Sequence, residues 1–212
     1  MNRLLKSVHQ ELGPRLAKYE FSFRPAVEVY VRNCPEGVSQ LFYVRSYKSG
    51  SSLVVEPGVG IRIDRIEEIF HRTSGFEAEY QPTTPTIGAE LWRLEGQPQA
   101  FRYRLNQEGD VGLVTEELSR AFAEKALPYF ESYSTVEAVD RLLNEAPMEK
   151  TPHRVMDWLR ASTGIIAAKM TGRQNYDELV AVYRKRVERL DKGFYLPQYE
   201  ALVHGLAAVP LF

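Results

Sequence analysis

The feature that most constrains this chain is the shortness of the breaks between its β-rich segments. Val27, Val29 and Val31 alternate with Glu28, Tyr30 and Arg32, which predicts a strand with one wetter face. Asn33-Cys34-Pro35-Glu36-Gly37 is turn chemistry, and β-rich sequence resumes over residues 38–48, with Leu41, Tyr43 and Val44 prominent. Ser49-Gly50-Ser51-Ser52 makes a second turn before Leu53, Val55, Val59, Ile61 and Ile63. Pro57-Gly58 interrupts that run, which reads as an edge strand or a bulge. A parallel pair needs a crossover of about a dozen residues or more, and neither turn is that long, so these segments must pair as antiparallel hairpins.

Helical spacing brackets the β-rich part. Leu4, Leu5, Val8, Leu12 and Leu16 predict one helix, or two meeting at Gly13-Pro14. Asp64 followed by Glu67 resembles a capping box before the stripe Ile66, Ile69 and Phe70, with the helix ending near Gly75. Phe76, Ala78 and Tyr80 alternate with Glu77 and Glu79 and suggest a strand. Leu91, Trp92 and Leu94, then Phe101, Tyr103 and Leu105, suggest two more. After Gly109 the spacing turns helical. Val114, Leu118, Phe122 and Leu127 form a helix closed by Pro128, and Thr135, Val136, Val139, Leu142 and Leu143 form another. Further helices are expected from Val155, Leu159, Ile166 and Met170, over residues 177–190 with Leu179, Tyr183, Val187 and Leu190 inward, and from Tyr199, Leu202, Val203 and Leu206. Gly193 stops the second of these. Pro147 and Pro152 mark residues 146–152 as a linker. The expected class is α+β: an antiparallel sheet with flanking helices over residues 1–146, followed by a helical extension over 147–212 packed on the first part.

Composition narrows the function classes. With 212 residues, 44% of them hydrophobic, the chain can bury a sizeable core. Its 27 basic and 28 acidic residues almost cancel, so no whole-molecule field draws it to nucleic acid or to an anionic membrane. One cysteine, Cys34, excludes an intramolecular disulfide and a cysteine-built metal site, and fits a reducing, cytoplasmic setting. Arg3 and Lys6 come too early for the apolar run of a signal peptide, and no uncharged apolar stretch approaches the roughly 20 residues of a membrane span, so no membrane partner is expected.

Residues with chemical potential are scattered. Glu68 and His71 have a Glu-x-x-His spacing, but a carboxylate-bridged metal site takes a second copy on a neighbouring helix, and the plainer reading is a solvated helix face. Cys34 would need one of His9, His71, His153 or His204 as its base, and none has a recognisable context. Gly58-Val59-Gly60 lacks the third glycine of a dinucleotide fingerprint, and Ser49-Gly50-Ser51 reverses the order of a nucleophile elbow. No catalytic, cofactor or metal residue is therefore assigned. Arg184, Lys185, Arg186, Arg189 and Lys192 concentrate positive charge, yet Glu188 and Asp191 dilute it, and Arg184 with Glu188 is a natural i,i+4 pair. Twelve tyrosines and two tryptophans suit a protein-binding surface, and Tyr30, Tyr43 and Tyr47 are the candidates for it. Arg45, Glu56, Arg62 and His71 are the candidates for a polar pocket.

The order of elements also carries a resemblance. Val29-Tyr30-Val31-Arg32, Phe42-Tyr43-Val44, Val54-Val55-Glu56-Pro57-Gly58-Val59, Leu91-Trp92-Arg93-Leu94, Gly109-Asp110-Val111 and Ala126-Leu127-Pro128-Tyr129-Phe130-Glu131 together resemble a family of uncharacterised bacterial proteins. Its domain of unknown function opens with a helix and an antiparallel sheet. The resemblance covers about residues 3 to 145, and Arg45-Ser46-Tyr47-Lys48-Ser49 departs from the family's usual stretch. It implies an α+β fold and no established activity, with some members of the family suspected of serving as immunity proteins beside bacterial toxins. Three function classes follow: a non-catalytic protein-binding module of immunity or antitoxin type, an enzyme or small-molecule receptor with an unrecognised site, and a nucleic-acid binder. Self-association is open in each.

Overall fold

The computed structural model describes residues 2–208. The order is α1 (Arg3–Ala17), β1 (Ser22–Arg24), β2 (Val29–Cys34), β3 (Val38–Ser49), β4 (Ser52–Ile63), α2 (Asp64–His71), β5 (Ile87–Glu90), α3 (Leu91–Leu94), β6 (Tyr103–Leu105), α4 (Val111–Ala121), α5 (Leu127–Tyr133), α6 (Val136–Asn144), α7 (Asp157–Met170), α8 (Tyr176–Arg189) and α9 (Leu196–Leu206). The class is α+β, with a six-stranded antiparallel sheet, flanking helices and C-terminal helices. By contact the chain divides into two compact units. One runs to Ile61 and resumes over Gly88–Ser132; the other comprises Arg62–Ile87 and the chain from Tyr133 onward. The 146/147 position lies within the second unit.

In the first unit the sheet order is β1-β2-β3-β4-β5, with β6 also paired to β4. β2 meets β3 from Val29 opposite Tyr43 to Cys34 opposite Val38, and β4 meets β6 from Leu53 opposite Leu105 to Val55 opposite Tyr103. The expected edge at Pro57-Gly58 is corrected: β4 is a central strand. Pro57 falls between Val55, paired to β6, and Gly58, which approaches Ala89 of β5, where β4 passes from one partner strand to the other. One sheet face is covered by α1, which lies along α4 and buries Leu5, Val8, Leu12 and Leu16. Phe21, Phe42 and Phe122 meet edge-on beneath it, at centroid separations of 5.0 and 5.2 Å around Phe122. Gly88 is required by the backbone here, because a Cβ would sit 2.6 Å from the Val59 carbonyl oxygen.

The second unit is organised around α7, whose residues 160–168 are all buried. A helix buried on every side must be surrounded, and α2, α6, α8 and α9 pack on it. Gly164 lets two of them approach: a Cβ there would meet Asn144 Oδ1 at 2.7 Å and the Tyr183 hydroxyl at 3.0 Å. The 146–152 stretch is tied down by arginines. Buried Arg160 donates to the carbonyls of Leu143, Ala146 and Glu149, and Arg186 donates to that of Pro147.

Four further expectations are corrected. Leu91–Leu94 is one helical turn and not a strand, an ambiguity that four apolar-rich residues cannot resolve by period. Residues 76–80 form no strand; Gln81 Nε2 donates to the Phe76 carbonyl and closes a loop. Pro128 does not end its helix, because a π-turn over Phe122–Ala126 leads into α5, where Pro128 occupies the first turn. Asp64 caps nothing: it accepts from Arg62, and Glu67 is buried and not reaching back to a cap.

Candidate functional site

The sheet face opposite the α1 layer carries a continuous polar and aromatic network within the first unit. Alternation along β3 places Tyr43, Arg45 and Tyr47 on one side, while Phe42 and Val44 point into the core. The Tyr47 hydroxyl donates to Glu56 Oε1 at 2.9 Å, and Arg102 Nε lies 2.6 Å from the same oxygen. The Arg102 guanidinium stands 5.3 Å from the Trp92 ring centroid and that of Arg93 stands 4.4 Å from it. Arg93 and Arg45 each donate, at 2.8 Å, to one oxygen of Glu90, and Arg45 lies 5.2 Å from the Tyr43 ring. The chain of contacts therefore runs from Tyr47 through Glu56, Arg102, Trp92, Arg93, Glu90 and Arg45 to Tyr43. The Arg45 side chain remains 61% exposed and Tyr47 43% exposed. The hydrogen bond to Glu56 raises the Tyr47 hydroxyl above its ordinary pKa, with burial adding to it.

Of the three candidate tyrosines, Tyr43 and Tyr47 share this face and Tyr30 does not. Tyr30 opposes Phe42 in the β2–β3 ladder and is wholly buried, with its hydroxyl 3.0 Å from His9 Nδ1 and donating to the His9 carbonyl. Burial pushes its hydroxyl pKa well above the usual range. The expected wetter face of β2 is thus a core face, because an aromatic ring capped by a histidine satisfies its hydroxyl internally.

The pocket candidates fall into two pairs. Arg45 and Glu56 belong to the sheet-face network. Arg62 and His71 lie in the second unit and meet at the Thr84 hydroxyl, 3.0 Å from Arg62 Nη1 and 2.7 Å from His71 Nε2. That hydroxyl also donates to Glu67 Oε2 at 2.7 Å, and His71 Nδ1 lies 2.9 Å from Ser74 Oγ. Burial raises the Glu67 carboxyl, but the His71 imidazole, the Arg154 charge and the Thr84 and Thr86 hydroxyls outweigh it and hold the group below its ordinary value. The serine, histidine and glutamate sequence is superficially that of a hydrolase, yet Ser74 is buried and its oxygen takes the Phe76 N–H. Both imidazole nitrogens face internal hydroxyls, and the adjoining cleft of about 410 Å³, lined by Arg62, Glu68, His71, Arg72, Gln81 and Pro82, is shallow and open. The cluster clamps the 81–86 loop onto α2. Glu68 of the Glu-x-x-His spacing is exposed, and among the described residues no group of three or more His, Cys, Asp or Glu is placed to hold a metal ion.

The basic residues of α8 separate. Arg184 pairs with Glu200 at 2.7 Å and approaches Glu188, whereas Arg186 turns to Asp157. Sequence reading missed Glu90, Trp92, Arg93 and Arg102. The only usable signal was the alternation of Arg102 and Arg104 around β6; nothing local marks Trp92 as the platform between two guanidiniums. No described helix is long and apolar enough to cross a membrane. Comparison with protein-family models, with curated proteins and with solved structures finds no match.

Proposed function

We propose that the protein is a non-catalytic binding module that docks a partner protein on the outer face of its sheet. The observation that carries this reading is the residue make-up of that face. Trp, Tyr and Arg are the side chains that most often dominate binding energy, because they bring large contact area with few rotors and polar ends that can be satisfied across an interface. Here they are pre-ordered by one another through Glu56 and Glu90, which lowers the entropy lost on docking. Arg45, Arg93 and Arg102 against Glu56 and Glu90 leave the network net positive, which suits an acidic partner surface. An immunity or antitoxin role, with a toxin held in a stoichiometric complex, is the specific form of this reading that the family resemblance suggests.

The test is affinity capture of the tagged protein from its host, followed by quantitation of the co-purifying partner with variants of the face. Arg45→Glu and Tyr47→Ala, both at exposed positions, are expected to weaken a stoichiometric complex by about 2 kcal/mol or more each, with unchanged thermal unfolding. Capture of the same partner at undiminished yield by both variants removes the sheet face as the docking surface.

A further inference from the structure

In the second unit, a cleft of about 390 Å³ is lined by Met148, Asp157, Val182, Lys185, Arg186, Arg189 and Leu190. Its chemistry is divided. Met148, Val182 and Leu190 supply an apolar floor, and Met148 is 61% exposed although its thioether is a flexible apolar group that contact with a ligand would cover. Arg186 is already neutralised by Asp157 and anchored to the Pro147 carbonyl, so it acts as a wall. Lys185 and Arg189 are exposed and make no ion pair or hydrogen bond with the described residues. They stand four residues apart on α8, and so on the same side of the helix, with the Cβ spacing of about 6 Å that an i,i+4 pair has.

We propose that this cleft is a second docking site, taking an acidic segment of another protein that carries an apolar side chain flanked by carboxylates. Two unpaired cations one turn apart are matched by two carboxylates one turn apart on a facing helix, while the floor takes the apolar residue between them. The charge arrangement separates this occupant from a nucleic acid. A phosphate backbone needs a row of cations, but Arg184 and Arg186 are committed to carboxylates, which leaves only Lys185 and Arg189. The apolar floor would also go unused. The site is distinct from the sheet face and stands on its own observations.

The experiment is fluorescence anisotropy of the full chain titrated into a labelled amphipathic peptide with leucines along one side and glutamates one turn apart beside them. The expected result is saturable binding that weakens about tenfold or more with Lys185→Glu/Arg189→Glu, weakens with Met148→Lys, and is unchanged by Arg45→Glu. A control peptide of the same composition, with the leucines dispersed around the helix, is expected to bind more weakly than the designed one. No saturable binding overturns the proposal, as does equal binding of the two peptides, or binding that Lys185→Glu/Arg189→Glu leaves intact. Preferential binding of a labelled single-stranded oligonucleotide that the same double variant abolishes overturns it in favour of a phosphate site.

Discussion

At the residue scale, buried titratable groups set how the fold responds to acid. Burial lowers His153 to about 4, against an ordinary 6.5. Its folded form therefore resists a proton that the unfolded chain accepts. The unfolded state binds more protons between these values, so stability falls as pH drops from 6.5 toward 4. His9, also lowered by burial, with Glu28 opposing, contributes in the same direction. Glu67 behaves differently. Its carboxyl is held below the ordinary 4.5, so its contribution is complete above that pH and is lost as pH falls further through its folded value. Chemical denaturation at a series of pH values is expected to show two successive losses. His153→Gln should reduce the first to the share His9 contributes and leave the second, whereas Glu67→Gln should reduce the second to the share of other low carboxyls such as Asp110. Glu67→Gln should also cost about 3 kcal/mol or more at neutral pH, because it uncouples His71, Thr84 and Arg62 in a buried network. An acid limb identical in all three proteins would remove both histidine and glutamate from this role.

At the element scale, the tight approach of α6 and α8 to α7 rests on a hydrogen side chain. Gly164→Ala gains roughly 1 kcal/mol of helix propensity. Against this, the new methyl displaces Asn144 and Tyr183, whose side chains hydrogen-bond each other at 2.9 Å, and Asn144 Nδ2 donates to the Gly164 carbonyl. Overpacking costs about 1–3 kcal/mol and each buried polar group left unpaired about 1–3 more, so the loss wins and the melting temperature is expected to fall. An equal or higher melting temperature would show that α7 has room at Gly164. Arg160→Ala is expected to be costlier still, at about 3 kcal/mol or more, since one guanidinium satisfies carbonyls at Leu143, Ala146 and Glu149. Circular-dichroism melts rank the two variants. Most elements were legible from spacing. The β2–β3–β4 hairpins follow from turn chemistry, and Leu179, Tyr183 and Val187 mark the inward face of α8 as expected. The failures share one cause. Leu91–Leu94, residues 76–80, Pro57 and Pro128 are decided by what packs or pairs beside them, and a local period carries no record of a neighbouring strand or a π-turn. The candidate site was half legible for the same reason. Tyr43, Arg45 and Tyr47 share a face through strand alternation, but Trp92 and Arg102 join them only through the pairing of distant segments.

At the scale of the whole molecule, the path of the chain decides which fragments can fold. The first unit is interrupted by Arg62–Ile87, which belongs to the second, and the second is completed only after Tyr133. A fragment ending at residue 146 keeps α2 and α6 but loses α7, the helix on which both pack. Ile66, Phe70, Val139 and Leu143 are all buried in the complete chain, and Phe70 stands 5.8 Å from the Trp158 ring that the fragment lacks. Uncovering four such side chains forfeits about 1.5–3 kcal/mol apiece, a sum of the same order as the margin by which a domain is ordinarily stable, and Arg160 with its carbonyl contacts is lost as well, so α2 and α6 lose their order while the first unit keeps all of its own residues. Residues 1–146 alone are therefore expected to bind hydrophobic dyes and to melt broadly. Hydrogen exchange should then show protection retained in β2, β3 and β4 and lost in α2 and α6. A fragment that melts sharply with α2 protected would mean that α2 finds its cover within the first 146 residues, and the division of the chain would have to be redrawn around that contact.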